Sequence, residues 1–141
     1  MKHKRTKACA IPKITKVLVY KRDWERCIFC GAPGLPEAHV VPRSQGGLGV
    51  PQNIITVCRQ CHDRLDNSVN RQQMLEEAKA YLEKYYPGWS ADDYVFDKDD
   101  KDKATELIDI AKISTDEHQK RFSLEKELKD RADTPEGFYY L

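Results

Sequence analysis

The pattern of apolar positions predicts its clearest helix in the segment SVNRQQMLEEAKAYLEKYY, residues 68–86. Apolar residues recur there every three or four positions, as they do on one face of a helix, and the PGW that follows ends the helix. The members of this face are Met74, Leu75, Ala78, Tyr81, Leu82 and Tyr85. Because aromatic residues at helical spacing usually pack in a core, we interpret these tyrosines as packing residues and not as catalytic ones.

Upstream of this helix the pattern changes to short runs of β-type residues. EAHVV (37–41) and NIITVC (53–58) predict two strands, and the loop PRSQGGLGVPQ (42–52) between them contains glycines and prolines that disfavour regular structure. RQCHDRLDN (59–67) then turns helical. Nearer the N-terminus, Pro12 can open a helix through KITKVLVYKRDW (13–24), although the β-branched residues of this stretch favour a strand almost equally.

The remaining segments are charged, and they suggest how the chain is organised. Residues 1–11 predict a basic N-terminal arm with a mobile beginning, and residues 91–103 predict an acidic linker that ends in DKDDKDK. Residues 104–141 predict a helical C-terminal tail, in which Ser114 caps a second helix and Glu117 closes the capping box. The predicted order is therefore an arm, a core domain at 12–90, a linker and a tail.

Charge divides the chain into two halves. Residues 1–72 contain 13 Lys and Arg against 5 Asp and Glu, a net charge of +8, whereas residues 73–141 contain 11 against 18, a net charge of −7. The basic half favours a polyanionic partner, although a solvated charged surface explains the charge about equally well. No apolar run approaches the roughly 20 residues of a membrane helix, and no secretory signal follows the basic start, so we expect a cytoplasmic protein.

Four of the five cysteines form two Cys-x-x-Cys pairs, Cys27 with Cys30 and Cys58 with Cys61. Two such knuckles can supply the four thiolates of a tetrahedral zinc site, whereas redox chemistry needs only one pair. Because four protein ligands close such a site, we predict a zinc ion with a structural role and not a catalytic one. The fifth cysteine, Cys9, lies in the basic arm, and we assign it no role.

Three further polar residues lie between or beside the knuckles: His39 on the first predicted strand, Asn53 at the start of the second, and His62 directly after Cys61. Together with the loop glycines, their order in AHVVPRSQGGLGVPQNIITVCRQCH (38–62) resembles the HNH endonucleases, a family of ββα-metal or His-Me finger nucleases. The resemblance covers residues 17–67. It implies a small α+β fold, in which a zinc-stapled ββα finger is flanked by an N-terminal element and C-terminal helices.

The resemblance also implies a function, the metal-dependent hydrolysis of DNA phosphodiester bonds by nicking or double-strand cleavage. His39 matches the general base of the family, and Asn53 matches the residue that orients the loop and the catalytic imidazole. His62 matches a ligand of a catalytic divalent cation such as Mg²⁺ or Mn²⁺. This second ion is distinct from the structural zinc.

One position departs from the family pattern. Many members have a second metal ligand immediately before the general base, and this chain has Ala38 there, which offers no ligand atom. Asp66 follows His62 by four residues, so the two side chains share a helix face. We therefore expect Asp66 to supply the missing oxygen ligand, with Glu37 as a weaker substitute.

Three basic residues are candidates for binding DNA phosphates. Arg43 follows Pro42, and its guanidinium group can bind the scissile phosphate or its neighbour, although an ordinary loop arginine is an almost equal interpretation. Lys13 and Lys16 can neutralise phosphates further along the backbone, in contacts that do not depend on the DNA sequence.

Two other functions stay open from the sequence. The alanine at position 38 suits a non-catalytic, zinc-containing module that binds DNA, and the acidic helices suit a protein-interaction adaptor that acts through the tail. His39 and Asn53 favour the nuclease, because binding alone needs neither residue. Since family members of this size occur in phages and mobile elements, phage packaging proteins are open as partners beside DNA, as is a homodimer formed through the tail.

Overall fold

The computed structural model describes residues 4–116, and it contains five helices and two strands within that range. The helices are α1 (Lys4–Cys9), α2 (Lys13–Arg22), α3 (Arg59–Asn67), α4 (Arg71–Tyr85) and α5 (residues 103–116), and the strands are β1 (Leu35–His39) and β2 (Ile54–Val57). Three short 3-10 turns lie at Arg43–Gln45, Pro51–Asn53 and Ala91–Tyr94. The predicted α+β class is confirmed. No helix of the described part is long and apolar enough to cross a membrane.

The two strands form an antiparallel hairpin, in which Ala38 pairs with Ile55 and His39 pairs with Ile54. All four residues of β2 are buried, whereas exposure alternates along β1. Because successive side chains of a strand point to opposite faces, Ala38 is buried in the core, and Glu37 and His39 lie on the other face. The alternation of side chains along β1 therefore allows Glu37 and His39, but not Ala38, to reach a site on the outer face of the sheet.

The main core lies between the hairpin, α3 and α4. Ile55 and Val57 of β2 pack there with Leu65 of α3 and with the apolar face of α4. Three residues of the predicted α4 face are buried, and the other three pack partly buried against them: Met74, Ala78, Leu82, and then Leu75, Tyr81, Tyr85. The prediction that this face packs in the core is confirmed. The stretch after Pro12 is helical and not a strand, because its buried residues, Thr15, Leu18, Val19 and Arg22, recur at helical spacing.

The basic arm differs from the sequence-based expectation, because residues 4–9 are helical and packed. Cys9 at the end of α1 is only 2 % exposed. Gly49 donates its backbone N–H to the carbonyl of Ala8 at 3.0 Å, so α1 rests on the loop between the strands. Local sequence did not indicate this packing, because a six-residue helix is unstable alone and depends on tertiary contacts.

The segment expected to be a linker also packs in part. Val95 pairs with Gly47 as an isolated β-bridge, and Tyr94 is buried against Leu48 and Val50. Residues 97–102 are non-helical, as expected, and α5 then begins at residue 103. The helix break predicted at Ser114 is wrong, because this residue lies inside α5; its predicted partner in the cap, Glu117, lies outside the described residues. The domain boundaries stay predictions.

A buried ion pair joins α2 to the hairpin. Arg22 and Asp23 are 2 % and 5 % exposed, and the guanidinium group donates two hydrogen bonds to the carboxylate, at 2.7 and 2.9 Å. Arg22 also donates to the carbonyls of Pro51 and Ile54, while Asp23 accepts from the backbone N–H of Thr56 and the hydroxyl of Tyr81. Burial and then the Asp23 carboxylate raise the pKa of Tyr81, which therefore keeps its proton and donates it.

We expect Asp23→Ala to lower the free energy of unfolding by about 3–5 kcal/mol, because it leaves the Arg22 charge buried and unpaired. Asp116→Ala is the matched control, since Asp116 forms an exposed ion pair with Lys21 at 3.9 Å and exposed pairs contribute about 0–1 kcal/mol. Urea unfolding of both variants measures the difference. Equal, small losses in the two variants would contradict the structural importance of the buried pair.

Candidate metal centre and catalytic site

The four paired cysteines form one cluster, in which all four Sγ atoms lie within 4.8 Å of one another. Cys27 and Cys30 lie in the turn after α2, and Cys58 and Cys61 lie at the start of α3. Tetrahedral zinc with Zn–S bonds of about 2.3 Å places its sulfurs about 3.8 Å apart, so the cluster fits a zinc ion. The predicted clustering of the four cysteines is confirmed, and such a cluster can hold a metal ion.

Local backbone geometry prepares these thiols for a metal. Cys58 is the N-cap of α3, and its Sγ accepts a hydrogen bond from the backbone N–H of Cys61 at 3.4 Å. This hydrogen bond lowers the pKa of Cys58 to about 7. Burial and then the neighbouring thiols raise the pKa of Cys61. Because four adjacent thiolates repel one another, a cation is what would hold all four deprotonated.

The buried side chain of Asn53 holds the loop between the strands through hydrogen bonds to its backbone. Its side chain is fully buried, and its Oδ1 accepts the backbone N–H of Val41 at 2.8 Å while its Nδ2 donates to the carbonyls of Val41 and Leu48 at 3.2 and 2.9 Å. A Cβ at Gly47 would lie 1.8 Å from the Val41 carbonyl oxygen, so only glycine permits this close approach. Asn53 thereby fixes both ends of the loop, and its side chain bonds the loop backbone and not the imidazole of His39.

The imidazole of His39 is held by a residue that the sequence did not single out. Its Nε2 lies 2.8 Å from the backbone carbonyl oxygen of Cys9. A carbonyl can only accept, so Nε2 carries the proton and the neutral ring keeps a lone pair on Nδ1. Burial lowers the pKa of His39, the Cys9 hydrogen bond raises it, and the charge of Arg43 lowers it, with a net shift below the ordinary value of 6.5. The ring is therefore neutral at pH 7.

His62 and Asp66 interact directly, as their spacing on α3 predicted. The Nδ1 of His62 lies 3.1 Å from the Oδ2 of Asp66. A hydrogen bond from Nδ1–H to the carboxylate leaves Nε2 of His62 free, which is the arrangement found around histidines that bind metals. Within residues 4–116, the four cysteines are the only group of three or more potential ligand atoms this close together, so His62 and Asp66 form a pair and not a preformed three-ligand site.

Two of the three predicted catalytic residues, His39 and His62, line one cavity of about 350 Å³, whereas Asn53 is buried beneath the loop and does not reach it. Asp66 also lines it, and its wall includes Glu37, Arg43, Arg71 and apolar residues from the segment after β1, from α3 and from α4. Arg43 is exposed at the start of its 3-10 turn, where a phosphate can reach it. Lys13 and Lys16 are exposed on α2 and do not line this cavity. Ala38 is buried on the opposite face of β1.

Three groups in or beside this site were missed by sequence reasoning: the Cys9 carbonyl, Arg71, and Arg5, whose guanidinium group donates to the carbonyl of Ser44 at 2.8 Å. Arg71 begins α4 and lines the cavity with His39. The basic residues of the N-terminal arm were visible in the sequence as a charge signal, but nothing there distinguished Arg5 from its neighbours. The Cys9 contact spans 30 residues and involves only the backbone of Cys9, so no side-chain pattern could reveal it.

Residues 27–75 match the family model described as HNH endonuclease. This segment is similar to the HNH endonucleases. The resemblance predicted from the sequence is confirmed over this segment, which is 49 of the 141 residues and leaves α1, α2, α5 and most of α4 outside. No curated protein and no solved structure matches the chain.

Proposed function

We propose that this protein is an HNH endonuclease that hydrolyses DNA phosphodiester bonds with a divalent cation. The HNH match over residues 27–75 supports a nuclease, and one observation carries the proposal furthest: His39, His62 and Arg43 line the same cavity. A base, a metal-binding imidazole and a phosphate-binding guanidinium are the three groups that hydrolysis of a phosphodiester needs.

His39 acts as the general base in this proposal. Its Nε2–H is engaged by the Cys9 carbonyl, so its Nδ1 is the atom that takes the proton from the attacking water. The lowered pKa keeps the ring unprotonated and ready to accept that proton at neutral pH. Asn53 acts through the loop backbone, because its hydrogen bonds to Val41 and Leu48 fix the segment that follows His39.

His62 and Asp66 hold the catalytic cation, for which Mg²⁺ or Mn²⁺ fits the imidazole and carboxylate donors. When bound, such an ion polarises the scissile phosphate and stabilises the leaving oxygen. Asp66 orients His62 through Nδ1 and has a second carboxylate oxygen to offer, while Glu37 faces the same cavity from β1. Arg43 binds the phosphate. Lys13 and Lys16 serve DNA outside the cavity, and the four cysteines hold zinc.

The second candidate function is a zinc-containing DNA-binding module without catalysis. It is favoured by the absence of a third potential ligand within 4.8 Å of the His62–Asp66 pair in the described part of the chain. The alanine at position 38 does not support it, because this residue lies in the core and a longer side chain there would not face the cavity. The nuclease therefore remains the better proposal. We also propose that the protein acts in the cytoplasm, because unoxidised cysteine pairs of this kind persist in a reducing compartment.

Cleavage of supercoiled plasmid by zinc-loaded protein tests the proposal, with Mg²⁺ or Mn²⁺ added after dialysis. We expect cation-dependent cutting, and about 10- to 100-fold less at limiting cation for Asp66→Ala. Asp63→Ala is the matched control, because Asp63 is exposed on the same helix and does not line the cavity of His39. Tight DNA binding without cutting by the wild type would instead establish the binding module.

A further inference from the structure

The short helix α1 lies outside the HNH segment, yet its last turn touches the proposed active site. The final carbonyls of a helix have no partner within the helix, and two of those in α1 accept from the site. The Ala8 carbonyl accepts the backbone N–H of Gly49 at 3.0 Å, and the Cys9 carbonyl accepts Nε2–H of His39 at 2.8 Å. The end of α1 is thus the hydrogen-bond acceptor that orients the imidazole.

The side chain of Arg5, near the start of α1, makes a second contact between this helix and the loop between the strands. Its guanidinium Nη2 donates to the carbonyl of Ser44 at 2.8 Å and lies 3.5 Å from the carbonyl of Arg43. These two carbonyls belong to the 3-10 turn that begins at Arg43, whose side chain lines the cavity of His39. Arg5 therefore connects the helix that orients the base to the turn that carries the phosphate-binding arginine.

The segment that leaves α1 packs closely against the backbone of the loop between the strands. A Cβ at Gly49 would lie 1.9 Å from the carbonyl oxygen of Ala10, so the chain leaving α1 passes directly against the loop backbone. Thr15 of α2 donates its buried hydroxyl to the carbonyl of Gly49 at 2.8 Å. Hydrogen bonds therefore hold the loop between the strands at two places: those of the buried Asn53 side chain and those of the N-terminal segment.

We propose that α1 is part of the catalytic apparatus, and that Arg5 is a positioning residue that holds the Cys9 carbonyl against His39 and sets the place of Arg43. This proposal rests on the proposed function for its effect on cleavage, but the α1–His39 contact itself does not depend on it. Because six residues cannot sustain a helix alone, the place of α1 depends on a few contacts, and Arg5 supplies one of them through a charged side chain. Arg5 acts through backbone carbonyls of its neighbours and needs no contact with DNA.

The test compares Arg5→Ala with Lys7→Ala, a matched control that removes the same charge from an exposed position of the same helix. Each variant is first checked for zinc content and helix content. We expect Arg5→Ala to lower kcat for plasmid cleavage about 10- to 100-fold with KM for DNA nearly unchanged, because small displacements of a catalytic group are costly. Lys7→Ala should leave kcat as it is. Arg5→Lys, which can still donate to the Ser44 carbonyl, should recover much of the rate.

A second measurement does not need cleavage. The imidazole Nε2–H of His39 is engaged by a carbonyl in a half-buried place, so we expect a slowly exchanging proton signal in the NMR spectrum of the wild type, assigned by its loss in His39→Gln. Arg5→Ala should lose this signal and Lys7→Ala should keep it.

The outcomes separate the two proposals. If the wild type does not cut DNA but the Nε2–H signal depends on Arg5, the nuclease proposal fails and the positioning role stands. If the wild type cuts and Arg5→Ala keeps both its kcat and the signal, the positioning role is overturned and the nuclease stands. A raised KM with unchanged kcat would also overturn it, because Arg5 would then be a DNA contact.

Discussion

His39→Ala is expected to reduce DNA cleavage by about 10²- to 10⁴-fold, which is the usual contribution of a positioned general base. The variant loses the only proposed proton acceptor for the attacking water. It should keep its fold and its zinc, because His39 is half-buried at the end of β1 and lies outside the main core. Steady-state cleavage of supercoiled plasmid measures the loss, with zinc content and a thermal melt confirming that the variant is folded.

Gln45→Ala is the matched control, since Gln45 is exposed in the loop that follows His39 and should cut like the wild type. The pH profile gives an independent check. Only the neutral imidazole accepts a proton, and burial brings the pKa of His39 below 6.5, so activity should fall on the acid side only below about that pH. Equal activity of His39→Ala and the wild type would show that the cutting comes from another protein or another base.

Loss of the zinc proposed for the four-cysteine cluster is expected to unfold the segment around it, residues 27–75. The cluster ties the turn after α2 to the start of α3, and a structural zinc contributes an apparent binding free energy of about 10–16 kcal/mol in zinc-finger peptides. A small domain has a total stability of only about 5–15 kcal/mol, so this contribution decides whether the domain is folded. Cys61→Ser should therefore lose stoichiometric zinc and most of the cooperative melt.

Cys9→Ala is the matched control for this experiment. Cys9 is also a buried free thiol, but it lies outside the cluster, and its replacement keeps the backbone carbonyl that His39 uses. Metal analysis of the purified proteins should find one zinc per chain in the wild type and in Cys9→Ala. A wild type that holds no metal and keeps its melting temperature in a strong chelator would show that the cysteines do not serve a structural zinc.

Features that depend on near neighbours could be read from the sequence. Helix α3 occupies the predicted residues 59–67, and the apolar spacing after residue 68 placed α4 and its buried face. Each Cys-x-x-Cys pair is a local turn, and the contact of His62 with Asp66 follows from one turn of helix. In each case the interacting groups lie within four residues of one another, so local geometry constrains them.

Features that depend on distant contacts needed the tertiary structure. The Cys9 carbonyl reaches His39 across 30 residues, Arg5 reaches Ser44 across 39, and Val95 pairs with Gly47 to close the loop from the C-terminal side. In each of these contacts at least one of the two groups belongs to the backbone. Because every residue carries the same backbone, the residue types do not identify such contacts. The sequence by itself indicated the four-cysteine cluster, the hairpin and the residues proposed for the site. Only the packing of α1, outside the segment that matches the HNH family, decided how the proposed base is oriented, because that orientation comes from a carbonyl which any residue at position 9 would supply once the helix was in place.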